Sequence, residues 1–174
     1  MSWKHLRPAA WPGSEMQKYI PQGDVQPNGI DISIGRLFQL SGTVRMTSKK
    51  HKRQYPKLNE LKPLDNFWHL DPRSYLVEVK EEIIIPNDAI GFVAPRSTLI
   101  RMGATVFSGI WDKGFHGVGD NRGRILLQTS LPFQIHLSVA IAQMIFISAV
   151  DDDTVYQGNY QPTTTPNREE TMNQ

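Results

Sequence analysis

Residues 93–103 place a strand-like run before a proline and then a short stretch of hydroxyl and guanidinium side chains. A strand that turns into a short helix in this way can direct free backbone amides at an anion. Arg96 adds a planar charged fork, Ser97 and Thr98 add hydroxyl donors, and Arg101 follows Ser97 by one helical turn. The segment therefore has the groups needed to hold phosphate oxygens. Spacing alone favours the plainer alternative, a helix start capped by Ser97 with both arginines in surface ion pairs.

A second candidate segment, residues 108–117, carries three glycines within an apolar β pattern, which predicts a tight hairpin. Asp112 in this segment could act as a general base toward water, and Phe115 could pack on a deoxyribose. Backbone amides and carbonyls of such a hairpin could also bind the edge of a pyrimidine. Without other information, a simple turn is the favoured interpretation.

Two further polar residues lie in apolar strand patterns. Asp31 alternates with isoleucines in residues 27–35, so it is either an exposed strand residue, the favoured alternative, or an outer-shell ligand of magnesium. Gln143 lies in the apolar run 140–146, where its amide needs either a structural partner or a ligand. The sequence leaves both of these alternatives for Gln143 open.

The elements that must position these residues are mostly strands, because short β-branched and aromatic runs alternate with Gly, Pro, Asn and Asp. Helix signals are few: Ser14 could cap residues 15–20, and residues 97–102 could form one or two turns ending at Gly103. Strands and helices do not alternate, so an all-β domain is expected rather than a Rossmann-type sheet. The predicted strands are residues 30–40, 75–85, 89–94, 104–107, 124–128, 133–137 and 142–149.

Composition sets wider limits on the protein. A chain of 174 residues is long enough for one domain, which we place at residues 1–156, before a polar flexible tail at 157–174. There is no cysteine, which excludes disulfides, thiolate metal sites and a cysteine nucleophile. The chain lacks a signal-peptide pattern and a run of roughly 20 apolar residues, so we expect a cytoplasmic protein without a membrane partner.

Charge gives little indication of a macromolecular partner. The net charge of +2 does not argue for nucleic acid, and none is expected as a partner. The one strong basic run, residues 48–53, is predicted to be a solvated loop, with an anion-binding or nucleic-acid-binding patch as the alternative.

Four segments in this order together resemble the dUTPase/dCTP-deaminase family. Residues 26–35 are similar to its first motif, and residues 95–101 to its phosphate-binding Arg-Ser-Ser motif, with Thr98 for the second serine. Residues 109–117 resemble the nucleoside-binding hairpin, and residues 141–145 the later motif that supplies a glutamine. The resemblance implies a distorted antiparallel β-barrel or jelly-roll-like fold, assembled as a homotrimer with sites between subunits.

The same resemblance implies a role for each candidate residue. Asp112 would be the catalytic base, and Asp31 would reach the Mg²⁺ cofactor through water. The remaining residues would bind substrate: Arg96, Ser97, Thr98 and Arg101 on the phosphates, Gly109 and Ile110 in the nucleoside hairpin, Phe115 beside the sugar, and Gln128 and Gln143 on the ligand.

One position separates the two activities of the family. Its deaminases have a strand ending in Leu-Glu, whose glutamate exchanges protons at the cytosine ring, whereas the matching residues here are Ile-Leu-Leu-Gln, ending at Gln128. A glutamine cannot exchange a proton near neutral pH. We therefore expect a dUTP diphosphatase that forms dUMP and pyrophosphate with magnesium. The alternatives are a dCTP deaminase, possibly bifunctional, and a catalytically silent nucleotide-binding protein.

Overall fold

Strands make up most of the regular structure in residues 9–149, the part of the chain that the computed structural model describes. The helices are α1 (Gly13–Met16) and α2 (Ser97–Arg101), with a 3-10 turn at Lys50–Lys52. The strands are β1 (Val25–Gln26), β2 (Gly29–Ser41), β3 (Lys57–Leu61), β4 (Phe67–Leu70), β5 (Ser74–Val79), β6 (Ile83–Ile84), β7 (Ala89–Pro95), β8 (Ala104–Phe107), β9 (His116–Gly117), β10 (Arg124–Thr129), β11 (Phe133–His136) and β12 (Ala140–Ser148).

One antiparallel sheet dominates the described chain. Its strands follow the order β7-β12-β2-β5-β10-β8, while β1 and β3 also pair with β2. The two end strands, β7 and β8, are joined by α2 and lie in contact, so the sheet is nearly closed into a barrel. Two small ribbons, β4 with β11 and β6 with β9, complete the pairing. The predicted all-β, barrel-like class with one or two short helices is confirmed.

Strand β2 contacts more of the sheet than any other strand and changes direction along its length. A bulge between Ile34 and Arg36 shifts its register against β5, so the inward face passes from even positions to Leu37. Gly35 lies at this bulge, and a Cβ atom there would be 2.9 Å from the Cα of Lys80. The bulge therefore depends on a residue without a side chain.

The core lies inside the barrel and is formed by alternate strand positions, as period-2 burial requires. In β12 every second residue from Ala142 to Phe146 is fully buried, and β10 buries Ile125 and Leu127. Trp11 and Phe146 meet edge to face, with ring centroids 5.7 Å apart, and close one end of this core. None of the helices in residues 9–149 is long and apolar enough to cross a membrane.

Several predicted elements need correction. Residues 75–85 are not one strand, because pairing with β2 ends at Val79 and the next strand, β6, pairs with β9 instead. Ser14 does not cap a helix: α1 starts at Gly13 after Pro12, has no side-chain cap, and ends at Met16 rather than Ile20. The short polar strand β3 was missed, since its pairing with β2 and not its composition makes it a strand. The domain boundary at residue 156 and the tail stay predictions, because residues 1–8 and 150–174 lie outside the described range.

A buried carboxylate sits where β5 ends. Glu81 is only 3% exposed, and its Oε2 accepts a hydrogen bond of 2.9 Å from the backbone N–H of Ser33 in β2. Lys80 returns a backbone hydrogen bond of 3.0 Å to the Ser33 carbonyl. Burial raises the pKa of Glu81, while the hydrogen bonds from Ser33 and the charge of Lys80 oppose this shift.

Glu81→Gln tests this burial. Because the pKa of Glu81 is raised in the folded chain, ionisation costs more in the folded state, and this cost appears as the pH rises above the ordinary glutamate value. The melting temperature of the variant relative to wild type should therefore rise as the pH increases above the ordinary glutamate pKa, and level off above the raised pKa of the folded chain. The exposed Glu15→Gln serves as the control for the loss of one glutamate charge, and the pH trend is measured as the difference between the two variants. A pH-independent difference for Glu81→Gln would contradict the assignment.

Candidate active site

The first candidate group of residues is centred on a buried ion pair. Asp31, at the start of β2, is 4% exposed and accepts a charge-assisted hydrogen bond on Oδ2 from Nη1 of Arg96. The β1–β2 hairpin brings Gln26 alongside, and its Nε2 donates to the same oxygen at 3.0 Å. The favoured sequence interpretation of Asp31 as an exposed strand residue is therefore wrong. Its partner, 65 positions away, was not visible in the local pattern.

Burial and charge act against each other at Asp31. Burial raises the pKa of this carboxyl group, the Arg96 guanidinium lowers it, the nearby Asp24 raises it, and the Gln26 hydrogen bond lowers it. The Arg96 side chain is 42% exposed. Its guanidinium thus has one end on the buried carboxylate and the other facing solvent, where it can bind an anion.

Helix α2 presents polar groups next to Arg96. Arg96 is the N-cap residue, in an extended conformation and without a side-chain cap, and its backbone N–H donates to the Ile141 carbonyl of β12 at 3.1 Å. The alternative with Ser97 as cap is therefore wrong, and the side chains of Ser97, Thr98 and Arg101 are exposed. Arg101 forms no ion pair with any residue in the range 9–149, so the surface-ion-pair alternative fails for it too.

Gln143 lies beside the same ion pair. In the sheet register it is opposite Asp31 on one side and Ala94 on the other. A Cβ atom at Gly29 would be 2.8 Å from Cγ of Gln143, so glycine at position 29 makes room for this side chain. Its half-buried amide makes no side-chain hydrogen bond within the described part of the chain. Of the two open alternatives, this favours a ligand contact.

The glycine-containing segment 108–117 is not a self-paired hairpin, which corrects the prediction. Trp111 pairs with Gly91 of β7 through two backbone hydrogen bonds of 2.8 and 3.0 Å, whereas β9 pairs with β6. Only the turn remains: the N–H of Phe115 donates to the carbonyl of Asp112 at 3.1 Å, and Gly114 has a φ of +77°. The apolar alternation therefore serves pairing with distant strands.

Trp111 anchors this turn, and sequence analysis missed it. Its ring is 6% exposed, its Nε1 donates to the Ser108 hydroxyl at 2.7 Å, and it meets Phe115 edge to face with centroids 5.2 Å apart. The indole covers Gly123, where a Cβ atom would be 1.8 Å from the ring. A tryptophan directly before Asp112 was the available signal. Asp112 itself is exposed, so its carboxylate faces solvent from a firmly held backbone.

The other predicted residues of this segment divide by exposure. Gly109 and Ile110 are exposed, Ile110 at 58%, and are open to a ligand. Phe115 is 8% exposed, so within one chain its ring is mostly a core side chain. Gln128 is exposed on β10, opposite Ser74 and Thr105.

One chain therefore holds two separate groups of candidate residues. Arg96 follows the end of β7, while the Asp112 turn is attached through Trp111 to Gly91, five residues earlier. At about 3.3 Å per strand residue this corresponds to roughly 17 Å. The described residues contain no cluster of three or more His, Asp or Glu side chains that could enclose a metal ion.

Comparisons with known proteins agree with this arrangement of motifs. A family model described as dCTP deaminase-like matches residues 12–149. The chain is 33% identical to the deoxyuridine 5'-triphosphate nucleotidohydrolase of Methanocaldococcus jannaschii, over 82% of this chain and 90% of that protein. It is 31% identical to a probable deoxyuridine 5'-triphosphate nucleotidohydrolase of Archaeoglobus fulgidus, over 79% of this chain and 80% of that protein.

A solved structure supports the fold. The crystal structure of the 2'-deoxycytidine 5'-triphosphate deaminase from Agrobacterium tumefaciens matches with a TM-score of 0.62 and 18% identity. The match covers 83% of this chain but only 50% of the deaminase chain, so this protein spans half of that length. At this identity the similarity concerns the fold alone.

Gly123→Ala tests the anchor of the Asp112 turn. The new methyl group would overlap the Trp111 indole, so we expect a loss of about 1–3 kcal/mol in the free energy of unfolding, measured by urea denaturation, together with altered tryptophan fluorescence. Gly109→Ala is the matched control, because a Cβ atom there meets nothing within 4 Å. Equal stability of the two variants would show that Trp111 is not held against Gly123.

Proposed function

Because the chain belongs to the dCTP deaminase-like family, we propose that it hydrolyses dUTP to dUMP and pyrophosphate. The observation that carries this proposal is the match of about four fifths of the chain to relatives named deoxyuridine 5'-triphosphate nucleotidohydrolase. The geometry supports the same chemistry, since it offers a half-exposed guanidinium for phosphate and an exposed carboxylate for water.

Phosphate binding is assigned to the Arg96 end of the site. The guanidinium of Arg96 is oriented by the buried Asp31, so little side-chain entropy is lost when it binds an anion. The exposed hydroxyls of Ser97 and Thr98 and the exposed guanidinium of Arg101 add donors on the same short helix. These groups would balance the negative charge that builds on the phosphate oxygens during the reaction.

Asp112 is the proposed general base. It would accept a proton from a water molecule as the water oxygen forms a bond to the α-phosphorus, while the bond between that phosphorus and the bridging oxygen of pyrophosphate breaks. The exposed position of Asp112 gives its carboxylate access to such a water, and Trp111 fixes the backbone that carries it. Gly109, Ile110 and Phe115 of the same segment would bind the nucleoside, and Gln143 and Gln128 would complete the ligand contacts.

The residues present are compatible with a magnesium cofactor. Magnesium usually binds proteins through one or two carboxylates and substrate phosphates and keeps several waters, so a site with a single carboxylate is sufficient. Asp31 is the carboxylate next to the residues proposed to bind phosphate. Its raised pKa is consistent with a place where added positive charge would be favourable. The ion would supply charge on the triphosphate oxygens. Asp31 would hold it through water.

The site we propose is completed by a second copy of the chain. Within one chain, the backbone positions that carry Arg96 and the Asp112 turn are roughly 17 Å apart along β7, which supports a site that takes its base from a second copy. A homotrimer with sites between subunits would bring the Asp112 turn of one copy to the Arg96 group of another. This arrangement would also give the exposed residues Ile110 and Ile100 a partner surface.

Product analysis tests the reaction directly. With magnesium and a panel of nucleoside triphosphates, we expect pyrophosphate and dUMP from dUTP, and no ammonia from dCTP, because Gln128 cannot exchange a proton. Release of ammonia from dCTP would favour the deaminase alternative suggested by the name of the family model. Tight binding of dUTP without pyrophosphate would identify a silent nucleotide-binding protein.

Two substitutions separate base from phosphate binding. Asp112→Asn should lower kcat by about 10²–10⁴-fold and leave dUTP affinity nearly unchanged, because only the proton acceptor is lost. Arg96→Ala should instead weaken dUTP binding, measured by isothermal titration calorimetry. Unchanged turnover in Asp112→Asn would refute the assignment of the base.

Mixing the same two variants tests whether sites are shared. If each site takes Asp112 from one subunit and Arg96 from another, co-refolded mixtures contain some intact sites and should recover activity that neither variant has alone. A mixture with only the summed activity of its components would place both residues in one chain's own site.

A further inference from the structure

Residues 42–57, here called the basic arm, concentrate the positive charge of the protein. Six of the 19 lysines and arginines lie in the arm and none of the 17 acidic residues does, so the rest of the chain has 13 basic against 17 acidic side chains. A chain with a net charge of only +2 thus contains a strongly basic segment on a slightly acidic body. The near-neutral net charge of the whole chain therefore does not show how unevenly the charge is distributed.

The basic arm is a loop with one isolated bridge that prolongs the two-stranded ribbon of β2 and β3. The second half of β2 pairs with β3 from Leu37 with Leu61 to Ser41 with Lys57. Beyond that pair, Arg45 and Gln54 exchange two backbone hydrogen bonds of 3.0 Å, and the Lys50–Lys52 turn closes the tip. The Nε of Arg53 donates to the Thr47 carbonyl at 3.2 Å and holds the tip together. The arm is therefore an ordered surface.

The arm cations differ from several arginines of the barrel. On the barrel, Arg36, Arg122 and Arg124 each pair with a glutamate. No ion pair within residues 9–149 involves an arm cation, and all of them except the half-buried Arg53 are exposed. The arm cations are Arg45, Lys49, Lys50, Lys52, Arg53 and Lys57. Because like charges repel along one ribbon, such a surface is stabilised by an extended polyanion.

Exposed apolar side chains alternate with these cations. Tyr55 is 61% exposed, Val44 is 61% exposed and Met46 is 85% exposed. An exposed aromatic ring among cations is what proteins use to stack on unpaired bases while lysines and arginines bind the backbone phosphates. A membrane surface fits less well, because it selects an amphipathic helix with one apolar face, whereas this ribbon mixes the two kinds of side chain.

The arm is also remote from the residues that are proposed to bind phosphate in the active site. Asp31 and Ser41 are ten residues apart on β2, which corresponds to roughly 30 Å along the strand, and the Lys50–Lys52 turn lies beyond Ser41. Within one chain, the arm cations are therefore beyond contact with a triphosphate held at Arg96. Within one chain, they are thus available to a second polyanion.

We propose that the basic arm binds the phosphate backbone of nucleic acid without sequence preference, with Tyr55 stacking on an unpaired base. The proposal takes up the alternative interpretation of residues 48–53, a nucleic-acid-binding patch, in place of a solvated loop, and departs from the expectation that nucleic acid is not a partner. The function is separate from dUTP hydrolysis and does not rest on it.

Fluorescence anisotropy with an end-labelled 20-nucleotide single strand and the matching duplex tests this proposal on the full chain. The triple substitution Lys49→Gln, Lys50→Gln and Lys52→Gln should weaken binding at 50 mM salt at least tenfold. It should also lower the slope of log Kd against log salt by about 2, at roughly 0.7 per lost phosphate contact on a single strand. Tyr55→Ala should weaken single-strand binding and leave duplex binding within twofold.

The matched control removes the same charge elsewhere, with Lys18→Gln, Lys62→Gln and Lys80→Gln on the barrel, and should bind like wild type. All variants should keep wild-type dUTP turnover and the same mass by light scattering. Equal affinity of the two triple variants would overturn the proposal. A change of mass in the arm variant would also overturn it, because it would identify a subunit contact. The same holds for a loss of dUTP kcat/KM without a loss of DNA binding, and for a loss of binding only to phosphatidylserine vesicles.

Discussion

The Asp31–Arg96 ion pair joins the start of β2 to the connection between β7 and α2. A carboxylate with 4% exposure has lost most of its hydration, and the guanidinium and the amide of Gln26 replace it. Removing Arg96 would leave the buried carboxylate of Asp31 without its charge partner, at a cost on the order of a few kcal/mol, whereas removing Asp31 would leave the half-exposed guanidinium to solvent. This contact across the sheet, together with the backbone hydrogen bond from Arg96 to Ile141, sets where α2 begins.

The two aspartates of the proposed site occupy opposite environments, and this difference separates their roles. Asp31 is buried, shared between an arginine and a glutamine, and has a raised pKa. Asp112 is exposed on a turn whose neighbours on both sides, Trp111 and Phe115, are packed into the core. A held backbone with an unencumbered side chain is the arrangement that a base acting on a mobile water requires.

Local signals in the sequence were sufficient to predict several strands, but they were not sufficient to predict contacts between distant parts of the chain. Strand β8 and the run that became β2 were predictable because β-branched residues and flanking glycines mark them. The break after Val79 and the pairing of Trp111 with Gly91 were not, since each depends on a strand far along the chain. Arg96 was predicted as a phosphate ligand, and this stays a prediction, but its buried partner was taken for a surface residue because alternation alone cannot distinguish a solvated face from a paired charge.

The bulge at Gly35 divides β2 into two halves that have different neighbouring strands. Both halves pair on two sides, the first with β1 and β12 and the second with β5 and β3, and beyond Ser41 the chain continues into the basic arm. Insertions, deletions and changes of charge beyond Ser41 can therefore accumulate without straining the strand pairing at the Gly35 bulge. Evolution can lengthen, shorten or recharge this appendage while the catalytic body stays unaltered.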